Sequence, residues 1–336
     1  GLTTAAYLAR GGRTVLVAER HTLPGGACTS FCRDGFTFQS GVLWIEGYEQ
    51  IVMPILEELE VAGDCPFNDV DPPFAAVFPD EVSPFSKDYT RHIDTLKKKF
   101  PDQAENIDRF TAAYRRVNRE LEMMPEKMNL AGMVSMLLKN RGALSFFRKT
   151  YDKVLDRYID DPVLRGYLAA PYWGLFGLPP EKFSAVAPSI FFVKLEKAGW
   201  TIGGMQKLPD ALVAGIEQAG GTVALRTGVK QILVEGKTAV GVCLEDGRRI
   251  EAGTVISAID PRPTFSDLID SSPVPSRYRK KLSGGELSPT GFKVFLGVEM
   301  ELRPPVDAAT FLYLPYLDVG GYFGTSAEDI LSPDGF

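Results

Sequence analysis

Histidine is almost absent: of 336 residues, only His21 and His92 carry an imidazole. That removes a histidine triad and a histidine-rich metal site from the available chemistry. Cysteine is scarce too. The four thiols, Cys28, Cys32, Cys65 and Cys243, make neither a disulfide framework nor a zinc-ligand spacing, so no metal is expected. A reducing, cytoplasmic setting suits them. No apolar run approaches the roughly 20 residues that cross a bilayer. Positive charge is not in excess either; the net charge of −6 gives no basic field to attract nucleic acid. With 45% hydrophobic and 11% aromatic residues, the chain is an ordinary globular one of two-domain length.

What is there begins at the first residue. Gly1 to Gly12 reads as a small-residue helix with a glycine stop, and Thr14 to Ala18 as a buried parallel strand. Glu19 follows the strand, close to the spacing of about 20 residues at which an acidic side chain accepts ribose hydroxyls. The pattern matches the second half of a Rossmann βαβ unit, with Gly1 as the last glycine of its fingerprint. The first strand and first two glycines are expected to lie outside this sequence. A carboxylate at Glu19 favours a free 2′-hydroxyl, hence FAD or NAD over NADP. Gly25 and Gly26 let backbone N–H groups approach a phosphate where any Cβ clashes. The alternative is a plain βα unit with a surface glutamate.

Helix, strand, Glu19-Arg20-His21-Thr22-Leu23-Pro24-Gly25-Gly26, then Arg33 to Gly41, resembles the FAD-binding entry of glutathione-reductase-like flavoenzymes. Within them it is most similar to the polyene branch of phytoene desaturases, carotenoid isomerases and retinol saturases. Gly203 to Leu212 and Gly220 to Pro261 continue the likeness; the helical middle does not. The resemblance implies an α/β fold: a Rossmann-like FAD-binding domain with an inserted helical and mixed-sheet substrate domain. The expected divisions are 1–47 and 201–262 for the FAD-binding parts, 48–200 for a mostly helical lid, and 263–336 for an incomplete substrate sheet. The implied FAD contacts are Gly1, Glu19, Arg20, Gly25, Gly26, Ala27, Gly41, Val42, Gly204, Met205, Val229 and Ala258. Gly41 either passes under the isoalloxazine ring or is a strand-end turn. Cys28 is either a packing residue or a redox thiol beside the phosphate loop.

The turn signals Asp34-Gly35 and Asp246-Gly247 predict hairpins, and Gly220 predicts a helix cap. Helices are expected at 51–59, 88–100, 101–121, 151–168 and 208–220, with a turn-rich stretch over 64–84. Strands are expected at 222–225, 254–258, 290–299 and 311–316. Residues 129–149 combine apolar positions with Lys139, Arg141, Arg148 and Lys149, a pattern that either covers a core or lies on an anionic membrane surface. A peripheral membrane contact through 130–149 is therefore an expectation. Pro171 to Gly177 is read as an aromatic cluster between helices, and Trp44, Tyr172, Trp173 and Phe176 as walls for a long apolar substrate. The expected activity is FAD-dependent desaturation, saturation or cis–trans isomerisation of a polyene or isoprenoid, with no catalytic residue identified. The alternatives are an amine oxidase, with Lys207 as the loose candidate near the flavin, and a prenyl-lipid carrier that has lost the cofactor.

Overall fold

The computed structural model describes residues 1–70, 74–78, 81–85, 89–125, 129–189, 198–270, 274–285, 293–301, 308 and 310–314. Two compact units divide them. The first takes 1–68, 200–270, 274–285 and 295–297; the second takes the remainder.

In the first unit, helix Leu2–Arg10 stops because two glycines follow it, Gly12 with a φ of 75°. Its buried face is Ala5, Ala6 and Ala9, and side chains no larger than a methyl let it lie close against helix Lys207–Gln218. Strand Leu16–Ala18 pairs in parallel with Thr222–Ala224, Leu16 facing Thr222 and Ala18 facing Ala224. Leu56, Cys65 and Ile216 are fully buried in the core between these elements. Each such Leu or Ile contributes about 1.5–3 kcal/mol relative to exposure.

Asp34 (φ 51°) and Gly35 (φ 83°) make the tight turn of a hairpin that pairs Ser30–Arg33 with Phe36–Gln39. Strands Val229–Glu235, Thr238–Leu244 and Arg249–Glu251 form an antiparallel sheet, the last two joined through Asp246-Gly247. Phe295 packs on the first hairpin, 5.0 Å from the Phe31 ring and 5.3 Å from the Phe38 ring.

In the second unit a small mixed sheet sets Phe311–Tyr313 parallel to Phe74–Val77, which pairs antiparallel with Val82–Phe85. Helices Tyr89–Lys99, Ala104–Glu122, Leu130–Lys139, Arg141–Phe147, Tyr151–Tyr158 and Pro162–Phe176 make up the rest. Tyr114 and Tyr151 are fully buried at the centre of their packing. His92 is buried against Phe85, and burial drops its pKa to about 4, so it is a neutral core residue.

Several expectations are corrected. The stretch over 64–84 holds strands at Phe67–Val70 and Phe74–Val77 and the start of Val82–Phe85, because short strands tolerate proline at their ends and edges. Helix 151–168 is two helices, broken at Ile159-Asp160-Asp161, where Asp161 caps the Leu164 N–H at 2.8 Å. Residues 171–176 lie inside helix Pro162–Phe176 rather than between helices; Pro171 removes one donor and the helix runs on. Residues 254–258 form no strand ladder with the described residues, and Ile256 is 54% exposed. An apolar β-branched run becomes a strand only where a neighbour satisfies its backbone, and no described strand does so here. Residues 293–298 likewise belong to no strand, with Leu296 74% exposed; 290–292 lie outside the described residues, as do 315 and 316. The helix over Tyr48–Glu58 belongs to the first unit.

Glu120 ties three elements of the second unit together. Its carboxylate accepts from the Ala143 N–H at 2.8 Å and pairs with Arg116 at 2.8 Å, while its carbonyl accepts from the Asn140 amide. Burial alone pushes the carboxyl pKa up, but the Ala143 N–H and the Arg116 guanidinium outweigh it and hold it below the usual value. A depressed carboxylate stabilises the fold above its unfolded pKa, and the contribution fades as pH falls through the folded one. Glu120→Gln is expected to cost about 1–3 kcal/mol in urea unfolding at neutral pH. The gap from the parent protein should shrink on acidification below about pH 4; a gap independent of pH contradicts the assignment.

Candidate dinucleotide site

The expected cofactor contacts all fall in the first unit, in three clusters. In the first, Glu19 ends strand Leu16–Ala18, its N–H donating to Ala224 O at 2.9 Å. The His21 N–H pins carboxylate oxygen Oε1 at 2.8 Å, which leaves Oε2 as an acceptor for a ribose hydroxyl. Thr227 N–H donates to Glu19 O at 2.8 Å, and Val229 opens the antiparallel sheet two residues on. Glu19 and Val229 thus meet at the same end of the parallel pair. Arg20 and His21 are exposed.

The second cluster is Gly1 with Ala258. A Cβ on Gly1 lies 2.9 Å from the Ala258 Cβ, so only glycine lets this segment pass the helix start. The N–H groups of the first turn of helix Leu2–Arg10 point out of its N-terminus beside it.

The third cluster holds both glycine pairs. Gly25 has a φ of 117°, and a Cβ there falls 2.6 Å from Pro209 Cγ. Gly26 has a φ of 57° and nothing within 4 Å of its Cβ position, so that side of the loop is open. Among the described residues, the N–H groups of Gly25, Gly26 and Ala27 have no acceptor, whereas Cys28 N–H turns back onto Gly25 O at 3.0 Å. Three consecutive free donors beside an uncovered glycine form a cradle for an anion. Gly41 packs on this turn: Val42 N–H donates to Ala27 O at 2.9 Å, and a Cβ on Gly41 falls 2.5 Å from the same oxygen.

Gln206 fastens the third cluster, a role that sequence reasoning missed. Its Nε2 donates to Pro24 O at 3.0 Å and to Asp210 Oδ1 at 2.9 Å, while its Oε1 accepts from Ser30 N–H at 3.2 Å. Ser30 Oγ takes the Gln206 N–H at 3.2 Å and donates to Gln39 Oε1 at 2.7 Å. Gln39 Oε1 also accepts the Met205 N–H at 3.0 Å. The Met205 side chain is fully buried, so this residue serves the loop through its backbone. The only signal for Gln206 in the sequence is its place next to Gly203-Gly204.

Of the expected substrate walls, Tyr172 is buried, edge-on to the Tyr151 ring at 5.2 Å. The side chains of Trp173 and Phe176 lie outside the described residues. Trp44 donates its indole N–H to Glu46 at 3.4 Å, and burial raises the Glu46 carboxyl pKa, only partly opposed by that contact. Lys207 is exposed at the rim of an open depression of about 580 Å³ that it shares with Asp64 and Asp210. Burial also raises the pKa of Cys28, which works against a reactive thiolate.

The residues present therefore fit a flavin dinucleotide: an anion cradle, a helix N-terminus, and a carboxylate with one oxygen to spare. The chain belongs to the flavin containing amine oxidoreductase family, whose model matches residues 1–324. Prolycopene isomerase 2 of an Oncidium hybrid cultivar is 26% identical, covering all of this chain and 61% of that protein. All-trans-retinol 13,14-reductase of Danio rerio is 27% identical over 89% of this chain and 52% of its own length. The phytoene desaturase of Cercospora nicotianae is 25% identical over 84% and 47%. The chain thus spans about half to three fifths of these relatives. Among solved structures, a Pyrococcus furiosus protein superimposes with a TM-score of 0.59 at 19% identity, over 85% of this chain and 63% of that one. A putrescine oxidase variant does so with 0.58 at 18%, over 84% and 61%. Both likenesses show the α/β fold.

The two adjacent glycines make separable predictions. Gly25→Ala meets Pro209 and should lower the stability of the flavin-free protein by about 1–3 kcal/mol. Gly26→Ala meets no protein atom and should cost only about 1–2 kcal/mol of left-handed strain, yet lower the flavin-to-protein ratio. Equal flavin retention by Gly26→Ala and the parent rejects the cradle.

Proposed function

We propose that the protein is an FAD-dependent oxidoreductase acting on a long apolar polyene or isoprenoid, by desaturation, saturation or redox-neutral isomerisation. The observation that carries this reading is the Glu19 and Gly25–Ala27 arrangement in a chain whose relatives are named for carotenoid and retinoid reactions. When bound, the flavin supplies hydride exchange at its N5. Glu19 Oε2 receives a ribose hydroxyl, the Gly25, Gly26 and Ala27 N–H groups hold the pyrophosphate, and the Gln206 bonds keep that loop against helix Lys207–Gln218. Gly1, Ala258, Gly41, Gly204 and Val229 bring backbone close to the cofactor. Trp44, Tyr172, Trp173 and Phe176 remain the proposed apolar walls. A substrate of this kind partitions into lipid, which brings a peripheral membrane contact into the same reading.

Amine oxidation is the second reading, favoured by the description of the matching family. Its loose lysine candidate, Lys207, stands on an exposed helix start. The visible spectrum of the full-length protein tests both. Flavin bands that bleach with dithionite, and are unchanged by polyamines, are expected. Anaerobic bleaching by an amine establishes the second reading instead. A colourless protein that cannot be reconstituted with FAD overturns both in favour of a prenyl-lipid carrier. Glu19→Ala should weaken FAD binding about tenfold or more, as loss of a charge-assisted hydrogen bond does; unchanged affinity rejects the ribose assignment.

A further inference from the structure

Helix Leu130–Lys139 is turned inside out. Met133, Val134, Leu137 and Leu138 occupy adjacent positions on one face, at spacings of one and four residues, and are 48%, 48%, 55% and 62% exposed. The buried positions are instead Gly132 and the capping residue Asn140, with Ser135 and Met136 half-buried. Helix Arg141–Phe147, packed beside it, adds Phe147 at 49% exposed. Single exposed apolar side chains are ordinary, but a contiguous group marks a surface that meets something. The charges around it narrow the choice. Residues 129–149 carry Lys139, Arg141, Arg148 and Lys149 and no acidic residue, in a chain of net charge −6. Glu120, an acidic side chain that contacts this segment among the described residues, is buried and committed to Arg116 and the Ala143 N–H. A protein partner of average surface needs no such excess of positive charge; a bilayer with anionic headgroups does.

We propose that the Leu130–Phe147 helix pair is a membrane-docking face, its four outward apolar side chains and Phe147 entering the headgroup–acyl boundary of an anionic bilayer while the flanking lysines and arginines contact lipid phosphates. The proposal extends the polyene reading by naming the surface that meets lipid. Its test needs neither substrate nor flavin, so one can fail without the other.

Full-length protein is sedimented with phosphatidylcholine vesicles with and without phosphatidylglycerol, at low and high salt. Binding is expected only with phosphatidylglycerol, weakened by salt. The double variant Lys139→Gln, Arg141→Gln should lower the partition coefficient about 30-fold, from the contribution of a basic residue near an anionic surface. Leu137→Ser with Leu138→Ser should abolish sedimentation with an unchanged thermal melt. Leu137→Trp supplies an independent reading: its emission should shift to the blue on phosphatidylglycerol vesicles and be quenched by brominated acyl chains. Vesicle binding that survives both double variants overturns the proposal. So does a dimer in solution that the Leu137→Ser, Leu138→Ser variant splits. Indole emission from the Leu137→Trp variant that is already blue without lipid, and stays unquenched with it, overturns the proposal as well.

Discussion

The first unit depends on one closure: the segment around residues 205–224 must come back onto residues 1–41. The Gln206 bond to Pro24 O joins positions 182 apart in sequence, and the ladder of Leu16–Ala18 with Thr222–Ala224 is equally remote. Until it forms, Ala5, Ala6 and Leu56 have no Ile216 to pack on, Gly25 has no Pro209 ring beneath it, and the donors of Gly25–Ala27 have no fixed direction. Closing a loop of this length costs several kcal/mol of chain entropy, growing only slowly with length. Burial of the shared apolar cluster together with the polar network of Gln206, Ser30 and Gln39 offsets it.

The closure also explains why two adjacent glycines answer to different constraints. Gly25 is fixed by protein: a proline ring occupies the place of its side chain. Gly26 is fixed by space left open, since no protein atom occupies the corresponding place. Gly41 is likewise fixed by protein, since its Cβ position meets the Ala27 backbone. A glycine near a ligand loop does not by that fact touch the ligand; some shape the wall and others leave room in front of it.

Much of this was legible in sequence because the signals were local. Asp34-Gly35 and Asp246-Gly247 can adopt the backbone angles of tight turns, Gly220 stops a helix, and Glu19 ends a strand. What was not legible depended on partners elsewhere. Residues 254–258 have the composition of a buried strand, yet composition supplies no neighbour for their backbone. The strands between 67 and 85 were hidden by prolines that in isolation signal turns. Gln206 carries three side-chain hydrogen bonds, two of them to residues at least 176 positions away, so no short pattern could mark it. Tyr172 belongs to an aromatic cluster, and aromatic clusters read alike whether they line a core or a cavity.

Because the first unit is assembled from both ends of a long excursion, its parts do not become available together during synthesis. At translation rates of roughly 5–20 residues per second, residues 1–68 wait roughly 7–30 s for their completing segment. Through that interval the alanine face of Leu2–Arg10 and the side chain of Leu56 lie without their final cover. The residues of the second unit from 69 to 199 are made in the meantime and hold aromatic packing of their own around Tyr114 and Tyr151. Residues 1–68 therefore need shelter while residues 69–199 fold, which makes the speed of elongation through residues 69–199 a determinant of yield.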